Sequence, residues 1–218
     1  MALAIRLAES RDDREKVYGF RYTVYVEEMG RRQIHADHWR RTIVEPLDEH
    51  AKVLVALEDD HVVGTIRINI GSESDLGTYP HLYDMFWVGE HFHNRVSVTT
   101  KLMVSPKYRG GTLPVRLAST GYRLAAESRV LFDFIDCNAH LESFFTRLGY
   151  RRYRPTVNHC EYGEVLPMVL MLEDTDHLVK VKSPLLRVRK LYQTIPSKTV
   201  EQQCLTKSGN LLCGGNYA

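Results

Sequence analysis

The stretch from Val96 to Tyr150 decides the fold, and its two informative parts read VSVTTKLMVSPKYRGGTLPVRLAS (96–119) and LFDFIDCNAHLESFFTRLGY (131–150). An apolar run with β-branched neighbours, Val98–Val104, ends at a Ser-Pro pair and predicts a strand. Small and apolar residues then recur at helical spacing, namely Leu113, Leu117, Gly121 and Leu124.

A second strand and a second helix follow the first pair. The run Val130–Cys137 is dense in Phe and Ile, which indicates a buried strand. A short helix closed by Gly149 comes next, with one apolar face formed by Leu141, Phe144, Phe145 and Leu148. A strand that enters a helix through glycine leaves free backbone N–H groups above the sheet. The turn Arg109-Gly110-Gly111 therefore predicts an anion site.

Length and composition limit the class of protein. A chain of 218 residues with 44% hydrophobic and 26% charged residues fits one globular domain plus a tail. The N-terminal sequence MALAIRLAESRDD is charged where a signal peptide is apolar, and we expect a cytoplasmic protein without stable membrane insertion. The four cysteines, Cys137, Cys160, Cys204 and Cys213, show no metal-type spacing and are too few for a disulfide framework.

Positive charge is concentrated at the C-terminal end. Seven Lys or Arg residues and one acidic residue follow position 179, which leaves 22 basic and 26 acidic residues before it. Ser183-Pro184 predicts the start of an amphipathic basic helix over Leu185–Tyr192. We therefore divide the chain into a domain at 1–175 and a basic helix with a loose tail at 176–218. This tail is either a solvated appendage or a docking surface for an acidic partner. No nucleic-acid motif accompanies it, and nucleic acid is not expected as a partner.

The rest of the chain supplies further strands and the first helix. We expect a strand at Ala4–Ala8, a helix at Arg11–Tyr25, a hairpin of Val53–Glu58 and Val62–Ile70, and a last strand at Cys160–Leu172. Residues Gly30–Glu45 lack periodicity and predict a loop with one helical turn. Pro167 inside the last strand indicates an edge or a bulge.

The order of elements between Val96 and Tyr150, together with the motif F-F-x-x-L-G-Y at 144–150, resembles the GNAT N-acyltransferase superfamily over roughly residues 5–172. The resemblance implies an α/β fold with a central mixed, twisted sheet and helices on both faces. It also implies that the turn from Arg109 through Gly110 and Gly111 to Thr112 holds the pyrophosphate of an acyl-CoA. The superfamily turn reads Q/R-x-x-G-x-G/A, whereas this chain has Thr112 and Pro114 at the two glycine positions. That departure weakens the case for tight CoA binding.

Three motifs in the N-terminal half narrow the resemblance: F-R-Y-x-x-Y-V-E-E-x-G (20–30), E-x-x-D-x-x-A (45–51) and G-T-x-R (64–67). They resemble the autoinducer-synthase-like branch, which contains N-acyl homoserine lactone synthases and long-chain N-acyl amino acid synthases. The family's helix arginine, aromatic residue, paired acids and strand arginine correspond to Arg21, Tyr25, Glu45, Asp48 and Arg67. The resemblance implies that a fatty acyl group, usually carried on acyl carrier protein, passes to an amine.

Two departures from the family pattern bear on the chemistry. Homoserine lactone synthases carry E-x-S-R-F on the central strand, where this chain has Val98 in place of the glutamate and Lys101 in place of the arginine. Lactone synthesis is therefore in doubt, and Lys101 joins Arg21 and Tyr25 as a predicted substrate-binding residue. Many GNAT acetyltransferases protonate the leaving thiolate with a tyrosine at the position of Phe145. Here another group does this, or the thiolate leaves as an anion.

The chemistry also requires a base. An ammonium must lose a proton before it attacks a thioester, so a carboxylate or a histidine should line the acceptor side. Glu28 is the first candidate and Asp48 the second, with Arg21 and Arg67 holding them ionised. The arginines either pair with these acids or bind a substrate carboxylate. Glu27, Glu45 and His50 are the reserve candidates.

The tetrahedral oxyanion needs a hydrogen-bond donor. A backbone N–H among Leu102, Met103 and Val104 could supply it at a strand bulge. A mainly aromatic group is either the wall of an acyl tunnel or plain core, and it consists of Met85, Phe86, Trp87 and Phe92. Glu90, His91 and His93 match no metal-ligand spacing, and no metal is expected.

Taken together, the sequence predicts an N-acyltransferase that uses an acyl-carrier-protein or CoA thioester, held by its phosphopantetheine arm. The acceptor is the amine of a free amino acid, or of a Lys or ornithine-type side chain in a peptide, and it attacks directly. Cys137 lies on a buried strand and is expected to be inert. The alternatives are a short-chain acetyl-CoA-dependent N-acetyltransferase, an N-acyl homoserine lactone synthase, and a non-enzymatic module that binds acyl chains or carrier protein.

Overall fold

In a computed structural model the chain is described from residue 3 to residue 193. Its strands are β1 (Leu3–Leu7), β2 (Ala36–Asp37), β3 (Thr42–Ile43), β4 (Lys52–Glu58), β5 (His61–Ile70), β6 (Val96–Val104), β7 (Phe132–Cys137), β8 (Arg151–Arg152), β9 (Val157–His159) and β10 (Gly163–Met171). Its α-helices are α1 (Arg11–Tyr22), α2 (Tyr79–Leu82), α3 (Leu113–Glu127), α4 (Glu142–Leu148), α5 (Thr175–Lys180) and α6 (Leu185–Gln193). A π-helical segment, Thr23–Glu28, extends α1.

One large mixed sheet forms the centre of the molecule, with the strand order β1-β4-β5-β6-β7-β10-β8 and with β9 added to β10. Neighbouring strands are antiparallel, except that β6 and β7 are parallel. The predicted α/β fold with a central mixed sheet is confirmed.

The two faces of the sheet bury different groups. On one face, Ile66 and Ile68 of β5 join an apolar core with α3. Gly121 lets α3 lie close to this face, because a Cβ at that position would already be 3.5 Å from Ile68. On the opposite face, Val17 of α1 packs against Val53 of β4. We call this second face the α1 face, and it also carries the buried polar side chains described below.

The strands β6 and β7 pair over only three residues each and then separate. Their pairs run from Val96 with Phe132 to Val98 with Phe134, although β6 continues to Val104 and β7 to Cys137. The β6–β7 ladder leaves backbone groups unpaired beyond this point, and they line a cleft between the strands.

Asp133 ties the two strands together just before they separate. Ser97 and Thr99 donate hydrogen bonds to its carboxylate at 2.5 and 2.9 Å, and the Tyr150 hydroxyl donates another. Burial raises the pKa of Asp133 to about 6, and these hydrogen bonds oppose the effect only in part. Asp133 therefore fixes the closed end of the cleft.

Two local predictions differ from the structure. The loop with one helical turn predicted at Gly30–Glu45 is wrong, because the segment contains the β2–β3 hairpin, in which Ala36 pairs with Ile43. Two-residue strands are too short to show alternation in the sequence. The helix predicted at Arg11–Tyr25 is α-helical only to Tyr22 and then becomes the π-helical segment.

Pro167 lies inside β10, opposite Asp136 of β7. On the other side of β10, β8 pairs with Met168 and Val169, and β9 pairs only as far as Val165. β10 is therefore not an edge strand, but Pro167 falls in the gap between its two outer partners, where a missing N–H is tolerated.

The predicted basic helix is confirmed as α6. The tail predicted after it, with Cys204 and Cys213, lies outside the described residues, and the division of the chain near residue 175 stays a prediction. Within residues 3–193, no helix has both the length and the hydropathy needed to cross a membrane.

Candidate active site

Two arginines and two carboxylates meet on the α1 face of the sheet. Arg21 of α1 donates from Nη1 to both carboxylate oxygens of Asp48 at 2.8 Å. Arg67 of β5 donates from Nη1 to Glu45 at 2.6 Å and to Asp48 at 3.3 Å. Its Nε donates to the Thr100 hydroxyl at 3.0 Å. Both arginine side chains are 0% exposed, and buried guanidinium groups need such partners to remain in a protein interior.

The two carboxylates are fixed by a short turn, Pro46–Asp48, that the sequence E-P-L-D encodes. Asp48 Oδ2 accepts the backbone N–H of Glu45 at 2.8 Å, and the Asp48 N–H donates to the Glu45 carbonyl at 2.9 Å. This reciprocal capping places both side chains toward the arginines. The spacing E-x-x-D is what makes the capping possible.

Lys101 of β6 completes the cluster. Its Nζ lies 2.5 Å from Glu45 Oε1, and its side chain is 2% exposed. Burial alone would raise the pKa of Glu45, but Lys101 and Arg67 outweigh that effect and hold it at about 2. Burial lowers the pKa of Lys101, and Glu45 opposes this shift.

A bulge in β6 brings Lys101 to this face. Arg67 pairs with Thr100 and Thr65 with Met103, so Lys101 and Leu102 together oppose the single residue between Thr65 and Arg67 on β5. Lys101 has a φ of 56°, in the left-handed region. The extra residue allows consecutive side chains, Thr100 and Lys101, to reach the same cluster, whereas a regular strand would alternate them. The sequence predicted a bulge at this part of the strand.

The cluster contains more donors than it uses. Its ion pairs join three cations, Arg21, Arg67 and Lys101, to two carboxylates, Glu45 and Asp48. Within the described part of the chain, Arg21 Nε, Arg21 Nη2 and Arg67 Nη2 are buried and have no hydrogen-bond partner. Unpartnered buried donors are costly. The arrangement is therefore suited to receive an anion.

Two tyrosines cover the cluster. The Lys101 ammonium lies 5.0 Å from the ring centroids of both Tyr25 and Tyr162, a distance at which cation–π attraction operates. Lys101 also donates to the Tyr162 hydroxyl. The Tyr162 ring stacks on His159 with a centroid distance of 4.5 Å. Tyr25 belongs to the π-helical segment, and such segments are common at functional sites.

The glycine turn lies at another part of the cleft. Arg109 donates from Nη2 to Glu28 at 2.7 Å, and its Nη1 bonds the other carboxylate oxygen. The Arg109 Nε donates to the Val104 carbonyl at 3.3 Å. The hydrogen bond from Arg109 lowers the pKa of Glu28. Gly110 has a φ of +77°, which explains why a glycine stands there.

The helix α3 starts directly after this turn, as the sequence predicted, with Leu113 as its first residue and Thr112 before it. Pro114 in its first turn has no backbone N–H, so this helix start offers one donor fewer than usual.

The backbone of Val104 faces the cleft. Ser105 N–H donates to the Val63 carbonyl at 2.9 Å, and hydrogen-bonded pairs alternate along antiparallel strands. The groups of Val104 therefore point away from β5, as the Arg109 contact to its carbonyl also indicates, whereas those of Met103 point to β5. Of the three predicted oxyanion donors, Val104 has an N–H group that this alternation directs to the cleft.

The structure thus brings Arg21, Asp48, Arg67 and Lys101 into one cluster, with Tyr25 over it. It does not bring Glu28 into that cluster, because Glu28 is held by Arg109. The catalytic and binding roles of all these predicted site residues stay predictions.

The other sequence candidates lie away from the cluster. Glu27 bonds Arg41, and the His50 side chain is 66% exposed. Of the predicted tunnel residues, Met85 is buried in an aromatic cluster with Tyr79 and Tyr83. Phe92 packs against this cluster, while Phe86 and Trp87 are partly exposed. Within residues 3–193, no group of His, Cys, Asp or Glu is arranged to hold a metal ion.

A family model described as N-acyl amino acid synthase FeeM matches residues 16–174 of this chain. The matched segment includes every residue of the cluster. Comparison with curated protein sequences gave no significant match.

Solved structures of low sequence identity share the fold. FeeM, an N-acyl amino acid synthase from uncultured soil microbes, is 14% identical with a TM-score of 0.64, over 86% of this chain and 98% of that one. BjaI, a CoA-dependent acyl-homoserine lactone synthase, is 14% identical with a TM-score of 0.58, over 87% and 98%. A Lactobacillus plantarum protein described as an N-acetyltransferase is 20% identical with a TM-score of 0.58, over 79% and 99%. The chain therefore belongs to the N-acyl amino acid synthase family and is an acyltransferase with a GNAT fold.

Proposed function

We propose that this acyltransferase joins a long-chain acyl group to the amine of a free amino acid. The observation that carries the proposal is the buried cluster of three cations and two carboxylates, with unpartnered donors on Arg21 and Arg67. A free amino acid brings a carboxylate next to its amine, and guanidinium groups bind carboxylates through strong charge-assisted hydrogen bonds. A lysine or ornithine side chain within a peptide has no carboxylate near its amine, so the cluster favours the free amino acid.

The acyl donor is a thioester, and we propose acyl carrier protein as its carrier in preference to free CoA. Pro114 removes one backbone donor from the start of α3, and Arg109 is already bound by Glu28. Both features weaken the site where the pyrophosphate of CoA would bind, whereas a phosphopantetheine arm carries a single phosphate. BjaI is described as CoA-dependent, so the carrier is a point on which family members differ.

Chemistry in the cleft needs no covalent intermediate. Burial raises the pKa of the Cys137 thiol to about 12, which makes it a poor nucleophile. The amine attacks the thioester carbon directly, and the Val104 N–H stabilises the oxyanion. Phe145 is buried and cannot protonate the leaving sulfur. The sequence proposes Glu28 and Asp48 as bases, but the hydrogen bond from Arg109 lowers the pKa of Glu28, which makes Glu28 a weaker base.

The test compares each amino acid with its carboxamide as acceptor, for the full chain with a long-chain acyl thioester. The carboxamide keeps the amine and loses only the negative charge. Losing a hydrogen bond to a charged group costs about 1.5–3 kcal/mol, so kcat/KM should fall by roughly 10–150-fold. Mass spectrometry of the N-acyl product gives both rates. Equal rates for the two acceptors would refute the carboxylate site.

Variants locate the effect. Arg21→Lys keeps the charge next to Asp48 but removes the unpartnered Nε and Nη2 donors, and it should reduce the preference for the amino acid over its carboxamide. Arg6→Lys is the control, because Arg6 pairs with Asp13 at the far edge of the sheet and should leave the preference unchanged. An acetylated or lactone product would support an alternative activity, and binding of the thioester without turnover would support a non-enzymatic module.

A further inference from the structure

Asp136 is a carboxylate on the α1 face that the sequence analysis did not single out. It lies on β7 two residues after Phe134, the last residue of β7 that pairs with β6. Side chains alternate along a strand, so Asp136 points to the same face as Phe134. Phe134 packs with Tyr79, Tyr83 and Val98 on that face. Asp136 therefore lies beyond the point where the strands separate and beside the cleft.

The surroundings of Asp136 differ from those of the other carboxylates in this region. Glu28, Glu45 and Asp48 each lie within salt-bridge distance of a cation. Asp136 forms no such ion pair with any residue between 3 and 193, yet it is only half-buried. The charged and titratable groups that face it from neighbouring elements are Lys101, His159, Tyr25, Tyr79, Tyr83 and Tyr153.

We infer that Asp136 binds the ammonium group of the acceptor amino acid and takes its proton. The inference rests on the proposed function, because the cation cluster would hold the carboxylate of the same acceptor. In a zwitterion bound this way, the carboxylate lies at Arg21 and Arg67. The ammonium group lies at Asp136, beside the cleft. Lys101 links the two ends, since it contacts Glu45 of the cluster and its charge also acts on Asp136.

The step balances without any further reactant. Asp136 accepts one proton from R–NH₃⁺, and the nitrogen lone pair that this frees forms the bond to the thioester carbon. The C–S bond breaks, and its electron pair leaves with the sulfur. The nitrogen loses its second proton as the amide forms, and the thiolate takes up one proton to become the thiol. The net products are the amide, the thiol and one proton.

The electrostatics agree with this geometry. Burial raises the pKa of Asp136, while His159 and Lys101 oppose the shift. By contrast, Arg109 lowers the pKa of Glu28, and Lys101 and Arg67 hold that of Glu45 at about 2. A carboxylate with a raised pKa is the stronger base, and general-base catalysis works best when the pKa lies nearer the working pH.

The test is the pH dependence of kcat/KM for Asp136→Asn in the full chain, with the amino acid and thioester that the wild type uses. Without a base, only the free amine reacts, so kcat/KM should rise roughly tenfold per pH unit toward the pKa of the amine. The wild-type profile should be nearly flat over the same range. At pH 7, kcat should fall by roughly 10²–10⁴-fold. Asp136→Glu should restore part of the rate and the flat profile.

Asp133→Asn is the matched control, because Asp133 lies on the same strand but on the opposite face, bonded to Ser97, Thr99 and Tyr150. It should change the melting temperature and leave the slope of the pH profile unchanged. A flat profile and a kcat within threefold of wild type for Asp136→Asn would overturn the inference, while the proposed function would stand. If Asp136→Asn does not fold, the pH profile of kcat/KM for the wild type provides the test. That profile should fall on its acid side, with an apparent pKa above the usual range of Asp residues, and the absence of this fall would overturn the inference. If the wild type itself forms no amide, the proposed function fails instead.

Discussion

Replacement of Glu28 by Gln separates two roles that this residue could have. The sequence predicts that Glu28 is the general base, and loss of a base lowers kcat by roughly 10²–10⁴-fold. In the structure, Glu28 instead bonds both terminal nitrogens of Arg109 at the glycine turn. The structure therefore predicts that Glu28→Gln releases Arg109 for the phosphate of the donor. Its main effect should be a lower KM for the donor, with kcat nearly unchanged.

The expected size of this effect follows from the exposure of the pair. The Arg109 and Glu28 side chains are 46% and 31% exposed, and ion pairs that are this accessible contribute about 0.2–1 kcal/mol. Removing the competition should therefore lower KM for the donor by a factor of about 1.4–5. The difference between variant and wild type should narrow as salt increases, because exposed charges are screened over about 8–10 Å at physiological ionic strength.

The assay is steady-state kinetics with the donor varied at saturating acceptor, and Glu27→Gln is the matched control. Glu27 is the neighbouring glutamate, and it pairs with Arg41 instead of with the glycine turn. The control should leave KM for the donor unchanged. A fall of kcat by a hundredfold or more in Glu28→Gln, with no such fall in Glu27→Gln, would refute the structural reasoning and support the original prediction of Glu28 as the base.

Three further predictions concern other parts of the chain. Charge reversal of Arg187 and Lys190, two exposed residues of α6, should raise KM for an acyl-carrier-protein donor, and the increase should fade at high salt if this helix steers the acidic carrier. Arg109→Ala should weaken carrier-bound and CoA-bound donors alike, which competition between the two thioesters would measure. The pKa of Asp133 is raised in the folded state to about 6 from its ordinary value of 3.8, so the protein should lose on the order of 3 kcal/mol of unfolding free energy between about pH 4 and pH 6. Denaturant titration should show that Asp133→Asn removes this pH dependence, because the amide does not titrate.

Most of the fold could be predicted from short-range patterns in the sequence. The glycine turn, the helix spacing of α3 and the run that became β7 each depend on residues close together in the sequence, and the structure has all three. The small hairpin at 36–43 was not predicted from the sequence, because two-residue strands have no detectable period of hydrophobicity. The helix after Ser10 was expected, but nothing in the sequence marks its change from α to π geometry at Thr23.

The site was predictable only in part, because some of its contacts join residues that are far apart in the sequence. Arg21, Asp48 and Arg67 were found through motif spacing, and the structure joins them. Tyr162 was missed because it reaches Lys101 across 61 positions of sequence. Asp136 was missed because its place depends on where β6 and β7 stop pairing, and strand register cannot be read from one strand alone.

The absence of an acid at Val98 on β6 and the presence of one at Asp136 on β7 are related. Homoserine lactone synthases carry a glutamate where this chain has Val98, and Val98 here pairs with Phe134 in the apolar part of the α1 face. Asp136 lies on the adjacent strand and on the same face, about 7 Å further along β7 from Phe134. A carboxylate there faces the open part of the cleft, whereas one at Val98 would face the closed part beside Phe134. The loss of an acid from β6 therefore does not remove a base from the cleft, because β7 supplies one nearer to its open end.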